Sequence, residues 1–463
     1  MSYTYEKKLI FLKRYARLVS DHLHGERNGK SVGDKSNIAH KDVEIIVTHN
    51  IFWFRNNLRL EDNHALNECI KKSQKISFIY IINPNLRNIK NNLTSKDKFI
   101  IQGLVNLKTN LNKRGYRLHI FQGEPRQVFN QISELNSFDE IYCEMIIAPY
   151  EKREVSLVDK KINCIWDSSL IDLDDLPCEP VKIPDTFTTF RNMVEKNLVV
   201  ADPICLPAIP ESMSIIGLNE YNLPSVGESK FIGSVDFLNN YSICEYGAQS
   251  FVDDYFTDNK ASNYKITRNE LSGRDFSTKF SVWLSHGFIS ARQLYKKLKT
   301  YESTKGANDS TYWIFFELLW RDYFRFLHFK YGENLYFKYG LKNSEINRID
   351  HEMTLEKLEC GKTHSSFMNA AINELINSGF LSNRMRQILA SYIIFDLFTD
   401  WRVGADFYQK YLIDFDIYSN QGNWLYIAGY GTDPRGGRRF NVIKQKNTYD
   451  ITNEYEMRWN ENT

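Results

Sequence analysis

No two of the seven cysteines form a C-x-x-C pair, and their number is odd. Cys69, Cys143, Cys164, Cys178, Cys205, Cys244 and Cys360 therefore argue against a zinc or iron–sulfur site and against a disulfide scaffold, and fit a reducing compartment. Long apolar runs are also lacking. None reaches the roughly 18 residues that span a bilayer, so no transmembrane helix is expected. Charge of one sign is lacking too: 59 basic and 57 acidic residues leave a net charge of +2. That excludes a histone-like polycation but not a local basic groove, because net charge averages over the whole surface. No apolar signal core occurs near the start, so the chain is expected not to be secreted, and to be cytoplasmic in a bacterium or organellar or nuclear in a eukaryote. No strand-like segment is followed by G-x-G-x-x-G or G-x-x-x-x-G-K-[ST], so a Rossmann or P-loop nucleotide site lacks its signature.

Aromatics are abundant, at 14% of 463 residues, with 8 Trp, 27 Tyr and 30 Phe. A large aromatic core accounts for them. So does a site for flat ligands, or an electron path. Hydrophobic and charged fractions of 42% and 25% are those of a globular chain, and the length predicts two or three domains.

Residues 1–42 read as a short helix and a flexible extension. From Val43 to Asp172, β-rich segments alternate with helical ones. Glu44–Phe54, Ile76–Ile82, Arg117–Phe121, Glu140–Met145 and Asn163–Trp166 are the strands. Ala65–Lys72, Asp97–Lys113, Pro125–Leu135 and Tyr150–Lys160 are the helices. This alternation predicts an α/β domain with a doubly wound parallel sheet. Residues 173–234 gather seven of the eleven prolines and read as an interdomain connector. Residues 235–463 read as a mostly α domain, with clear amphipathic helices at Thr311–Phe329 and Ser382–Phe398.

Three segments carry polar groups in unusual company. Trp313, Glu317, Trp320 and Phe324 share one helical face. A carboxylate between two indoles is costly unless paired or used. Arg321, one turn on, is a structural partner for it; a cavity that stacks and hydrogen-bonds an aromatic ligand is the other reading. Ser277-Thr278-Lys279-Phe280-Ser281 stands where a helix should begin, as caps or as an anion site. Asp414-x-Asp416-x-x-x-Asn420-x-x-Asn423-Trp424 precedes a basic loop with Arg435, Arg438 and Arg439, which is either solvated or holds phosphates.

Together with Trp53–Asn63, Ser382–Arg386 and Asp400–Arg402, these segments resemble the photolyase/cryptochrome family, most closely its DASH-type cryptochromes. The match runs in order over about residues 46–455. The resemblance implies a helical domain that binds FAD. Ser277, Thr278 and Ser281 would hold its phosphates with Tyr264 nearby. Arg386 would pair with Asp414 beside the flavin ring, and Asn420 would face flavin N5. Lys279, Phe280 and Asp416 complete the implied cofactor set. It implies light-driven splitting of cyclobutane pyrimidine dimers, preferentially in single-stranded DNA, by a monomer. Glu317 would bind the dimer, Trp320 and Tyr426 would wall it, and Asn383 would stand between dimer and flavin. Trp424 and Trp401 would carry electrons to the flavin, and Arg435, Arg438 and Arg439 would contact DNA.

This sequence departs from the family at several points. Gly361-Lys362-Thr363-His364-Ser365-Ser366 replaces a Gly-Lys-Thr-Gly-Tyr-Pro segment expected near the substrate pocket. The outermost Trp of the electron chain falls on Arg348. Ala148–Glu154 leaves the glutamate of a methenyltetrahydrofolate antenna unassigned. Asn383-Arg384 argues against repair of (6-4) products. A blue-light receptor that binds FAD and nucleic acid without repair is the alternative function.

Overall fold

The computed structural model describes residues 47–85, 93–227, 230–342 and 355–460. The expected extension over residues 1–42 and the position of Arg348 lie outside them.

The first half is built on strand β1 (His49–Phe54), helix α1 (His64–Lys71), β2 (Lys75–Ile82), α2 (Ser95–Lys113), β3 (Leu118–Gln122), α3 (Pro125–Leu135), β4 (Ile141–Glu144), α4 (Pro149–Ser156) and β5 (Ile162–Ile165). The strands pair in the order β3-β2-β1-β4-β5, all parallel. β1 is buried along its whole length, and so is β2 after its first residue. Unbroken apolar strands are what a parallel sheet covered on both faces requires. Local signals set the helix starts. Thr94 and Asp97 form a capping box at α2, and prolines open α3 and α4.

The connector is more ordered than its prolines predict. It contains α5 (Phe187–Glu195) and a short strand, β6 (Glu211–Ser212), which pairs with β2 at Lys75 and Ile76. Beyond it the described residues are helical: α6 (Glu245–Thr257), α7 (Lys260–Thr267), α8 (Phe280–Leu284), α9 (Ala291–Lys305), α10 (Asp309–Tyr331), α11 (Leu355–Glu359), α12 (Ser366–Ser378), α13 (Asn383–Phe395), α14 (Trp401–Tyr411), α15 (Ile417–Ala428), α16 (Val442–Tyr449) and α17 (Glu454–Asn460). The long α10 starts at an Asn308 capping box and ends at Gly332.

Charge and close packing lock the sheet to the helices. Arg59 donates to Asp167 at 2.6 Å, and Arg292 bridges Asp167 at 2.9 Å and Asp62 at 3.1 Å, all four side chains being buried. Asp322 of α10 accepts from the backbone N–H groups of Leu170 and Ile171. At Gly287 an added Cβ would stand 2.2 Å from the Asn56 carbonyl oxygen.

Candidate functional site

Three side chains from three elements meet first. Arg386 of α13 donates through Nη2 to both Asp414 oxygens, at 2.9 and 3.0 Å. The Ser281 hydroxyl of α8 donates to Asp414 Oδ2 at 2.6 Å. Asp414 is buried, whereas Ser281 is exposed and Arg386 half-buried. One edge of the cluster is therefore open and its carboxylate is held from behind. Ser277 and Thr278 are half-exposed just ahead of α8. Lys279 between them and α8 takes a left-handed φ of 50°, which turns the chain sharply at that point.

Tyr408 of α14 extends the cluster. Its hydroxyl donates to the Arg386 carbonyl at 2.9 Å, and its ring meets Trp424 edge-on with centroids 5.0 Å apart. Trp424 is buried and its Nε1 has no protein partner. Trp401, at the first position of α14, is also buried and donates to the Lys338 carbonyl at 2.8 Å. The Asn420 amide donates to the Ala405 carbonyl at 3.2 Å, one turn from Trp424.

A second group lies along α10. Glu317 is ion-paired with Arg268 at 2.6 Å. The expected partner, Arg321, instead donates to the Ser168 carbonyl. Arg321 projects toward the sheet, where buried backbone needs donors, and this leaves Glu317 to an arginine from the segment after α7. Burial pushes the Glu317 carboxyl above its ordinary value, and Arg268 works against that rise. Trp320 stacks on Phe187 of α5 at 3.8 Å and meets Tyr426 edge-on at 6.0 Å. A cavity of about 370 Å³ opens beside Trp320 and Tyr426, with Phe187, Tyr323, Phe324 and Leu425 in its walls and Asp433 and Arg435 among its polar groups.

Helix α13 joins the two groups. Asn383 and Arg386 are three residues apart, on one face, with Asn383 exposed. Arg384 donates to Asn269 at 3.0 Å, and Asn269 follows Arg268 in the chain.

The basic loop is less free than its sequence predicts. Arg435 and Arg438 both pair with Asp433, at 3.3 and 2.9 Å, and Arg439 pairs with Asp396 at 3.0 Å. Arg438 also lies over the Tyr426 ring at 4.3 Å.

Three expected contacts point elsewhere. Asp416 caps α15 through Ser419 N and pairs with Arg325 at 2.5 Å. Burial alone would raise its carboxyl, but Arg325 and Arg321 bring it down to about 2. It faces a polar space shared with Glu144 and Arg321, not the Ser281–Arg386 cluster. Lys279 turns its amine inward to the Gly273 carbonyl and the Phe276 ring, and Phe280 is buried in the core. Sequence reading missed Arg268, Phe187, Tyr408 and Asp433. Of these, Asp433 stands two residues before Arg435 in the basic loop and Arg268 four residues after Tyr264, whereas Phe187 and Tyr408 come from segments in which no motif was read.

The donor set fits a flavin nucleotide: open hydroxyls, an arginine braced by a carboxylate, and neutral amides. In the Ala148–Glu154 segment considered for a folate antenna, the Glu154 carboxylate is taken by Arg55 at 3.3 Å and Asn83 at 2.5 Å.

Residues 50–211 match the DNA photolyase family model, and residues 313–462 match that of the FAD binding domain of DNA photolyase. A cryptochrome DASH of Idiomarina loihiensis is 34% identical over 422 residues, covering 88% of this chain and 92% of that protein. One from Danio rerio is 35% identical over 428 residues, covering 88% and 82%. The crystal structure of a Synechocystis cryptochrome superposes with a TM-score of 0.80 at 33% identity, covering 89% of each chain.

Proposed function

The chain belongs to the photolyase/cryptochrome family and carries its FAD-binding domain, and from that footing we propose that it splits cyclobutane pyrimidine dimers under blue light, preferring single-stranded DNA. The observation that carries this reading is that one chain holds both the Asp414–Arg386–Ser281 cluster, open at one edge, and an aromatic cavity walled by Trp320 and Tyr426; Asn383, on the same helix as Arg386, takes the place between dimer and flavin that the family resemblance implies.

A bound flavin would supply light-driven one-electron chemistry. The protein's residues do the rest. Ser277, Thr278 and Ser281 would hold its phosphates, and Asp414 would keep Arg386 beside its ring system. Asn420 and Asn383 offer neutral amides, which add no charge next to a reduced, anionic flavin. A damaged pair is poorly stacked and cheap to extrude. It enters against Trp320 and Tyr426, and Glu317 exchanges Arg268 for the polar edge of a base. Trp401 and Trp424 are the buried indoles that would pass electrons toward a bound flavin.

Preference for single strands follows from Tyr426. It presents less stacking surface than an indole, so it returns less of the few kcal/mol that flipping from a duplex costs. The test is an absorption spectrum of the purified protein, then dimer repair under blue light on single- and double-stranded oligonucleotides. A flavin spectrum and faster repair of single strands are expected. Equal rates on the two substrates would refute the preference. Flavin without repair would favour a receptor, and a colourless protein that takes up no added FAD would overturn the whole reading.

A further inference from the structure

Two nucleophiles lie away from the candidate site. Cys143 of β4 and Cys164 of β5 are direct partners in the parallel ladder, and their sulfurs are 3.7 Å apart. Neighbouring strands run about 4.7–4.9 Å apart, inside the range of about 4.4–6.8 Å between Cα atoms that a disulfide spans. Both side chains leave the same face of the sheet, so the sulfurs can close to bonding distance by rotation about χ1 with little backbone movement.

The two thiols are not equivalent. Cys143 is fully buried, while Cys164 sits half-buried on the outermost strand. Contact with the Cys143 sulfur holds the Cys164 thiol below its ordinary value against the opposing effect of burial, and the Arg55 guanidinium adds to the lowering. The same contact, with burial, pushes Cys143 well up. The more accessible sulfur, at the sheet edge, is the one an oxidant meets first, and the buried one stands 3.7 Å behind it to resolve the product.

We propose that Cys143 and Cys164 form an oxidisable pair that closes to a disulfide under peroxide. The Cys164 thiolate attacks one oxygen of hydrogen peroxide, giving a sulfenic acid and hydroxide. The Cys143 thiol then attacks that sulfur, the S–S bond forms, and the sulfenic oxygen leaves as water. In sum, two thiols and one peroxide give one disulfide and two waters. β5 is only four residues long and lies at the sheet edge, so the bond staples an edge strand and closes the segment that carries α4.

The test uses the full-length protein treated with hydrogen peroxide, then peptide mapping without reduction, alongside a count of free thiols. A peptide linking residues 143 and 164, a fall of two thiols from seven and full recovery with dithiothreitol are expected. Cys143→Ser should instead accumulate a dimedone-reactive sulfenic acid at residue 164, and Cys164→Ser should give neither product. The oxidised protein should also be cut more slowly by protease within residues 145–161. Wild-type protein that keeps both thiols, or that pairs either cysteine elsewhere, overturns the proposal whether or not the variants fold.

Discussion

The indole of Trp424 rests against Gly404: a Cβ at that glycine would stand 2.1 Å from Trp424 Cη2. Glycine inside a helix costs about 0.5–1 kcal/mol relative to alanine, so its place in α14 is explained by this approach. Gly404 lies three residues after Trp401, on the same side of the helix, and the contact brings the two indoles to one turn of α14. Gly404→Ala should push Trp424 outward. Flavin photoreduction should slow, and the indole emission of flavin-free protein should move to longer wavelength. If both stay at wild-type values, Gly404 does not position the path.

Asp414 is the buried end of its pair with Arg386, whose side chain is 24% exposed. Breaking a fully buried pair costs about 3–5 kcal/mol, and partial exposure of the arginine brings the expected loss nearer to 2 kcal/mol. Asp414→Ala should purify with much less flavin, and calorimetric titration should show FAD binding weakened by at least about tenfold. Asp414→Asn, which keeps an acceptor for Ser281, should fall between. Equal affinity in all three proteins would remove Asp414 from the site.

Glu374 of α12 is fully buried, accepts from the Tyr455 hydroxyl and leaves Oε1 without a partner. Burial raises its carboxyl to about 8. An unfolded glutamate loses its proton near 4.3. Between those values the folded state holds more protons than the unfolded one, so stability falls as pH rises, by at most about 1.4 kcal/mol per pH unit. Glu374→Gln should flatten that slope, matching wild type near pH 5 and exceeding it at pH 8 in denaturant titrations. Parallel pH profiles of the two proteins would contradict the assignment.

Asp433 engages two of the three arginines in the basic loop. Asp433→Asn keeps the acceptor for the Arg435 N–H but removes the charge. Single-stranded DNA should bind more tightly in low salt, and the slope of log K against log salt should steepen by about 0.7 for each arginine released to a phosphate. Anisotropy titrations at several salt concentrations measure this directly. An unchanged slope would mean that the loop does not meet the backbone.

The sheet was legible because its strands are continuous apolar runs. Expected Ile76–Ile82 starts one residue after observed Lys75–Ile82, and expected Asn163–Trp166 is shifted by one residue from observed Ile162–Ile165. α3 coincides with its expected bounds, since Pro125 marks its start. The connector was not legible: α5 carries an ordinary helical face, but its prolines dominated the reading, and a two-residue β6 has no periodicity to detect. Within the site, the pairing of Arg386 with Asp414 and the joining of Trp320 with Tyr426 came from the family resemblance. Spacing alone mispaired Glu317 because i,i+4 spacing speaks only for a single helix, whereas Arg268 arrives from another. Likewise Asp433 sits two residues before Arg435, yet only the folded loop shows that one carboxylate serves two arginines.

The Arg59–Asp167–Arg292–Asp62 lattice and the bare Gly287 seam tie sheet and helices into one cooperative body. Arg292 finds both its carboxylates, Asp62 and Asp167, in other segments, so a fragment spanning the helices alone would leave Arg292 with no counter-ion. Scanning calorimetry should therefore record a single endotherm, with sheet and helices melting together. The flavin-binding half should then inherit every destabilising change made in the sheet, so that a defect in β1 is felt first as lost colour.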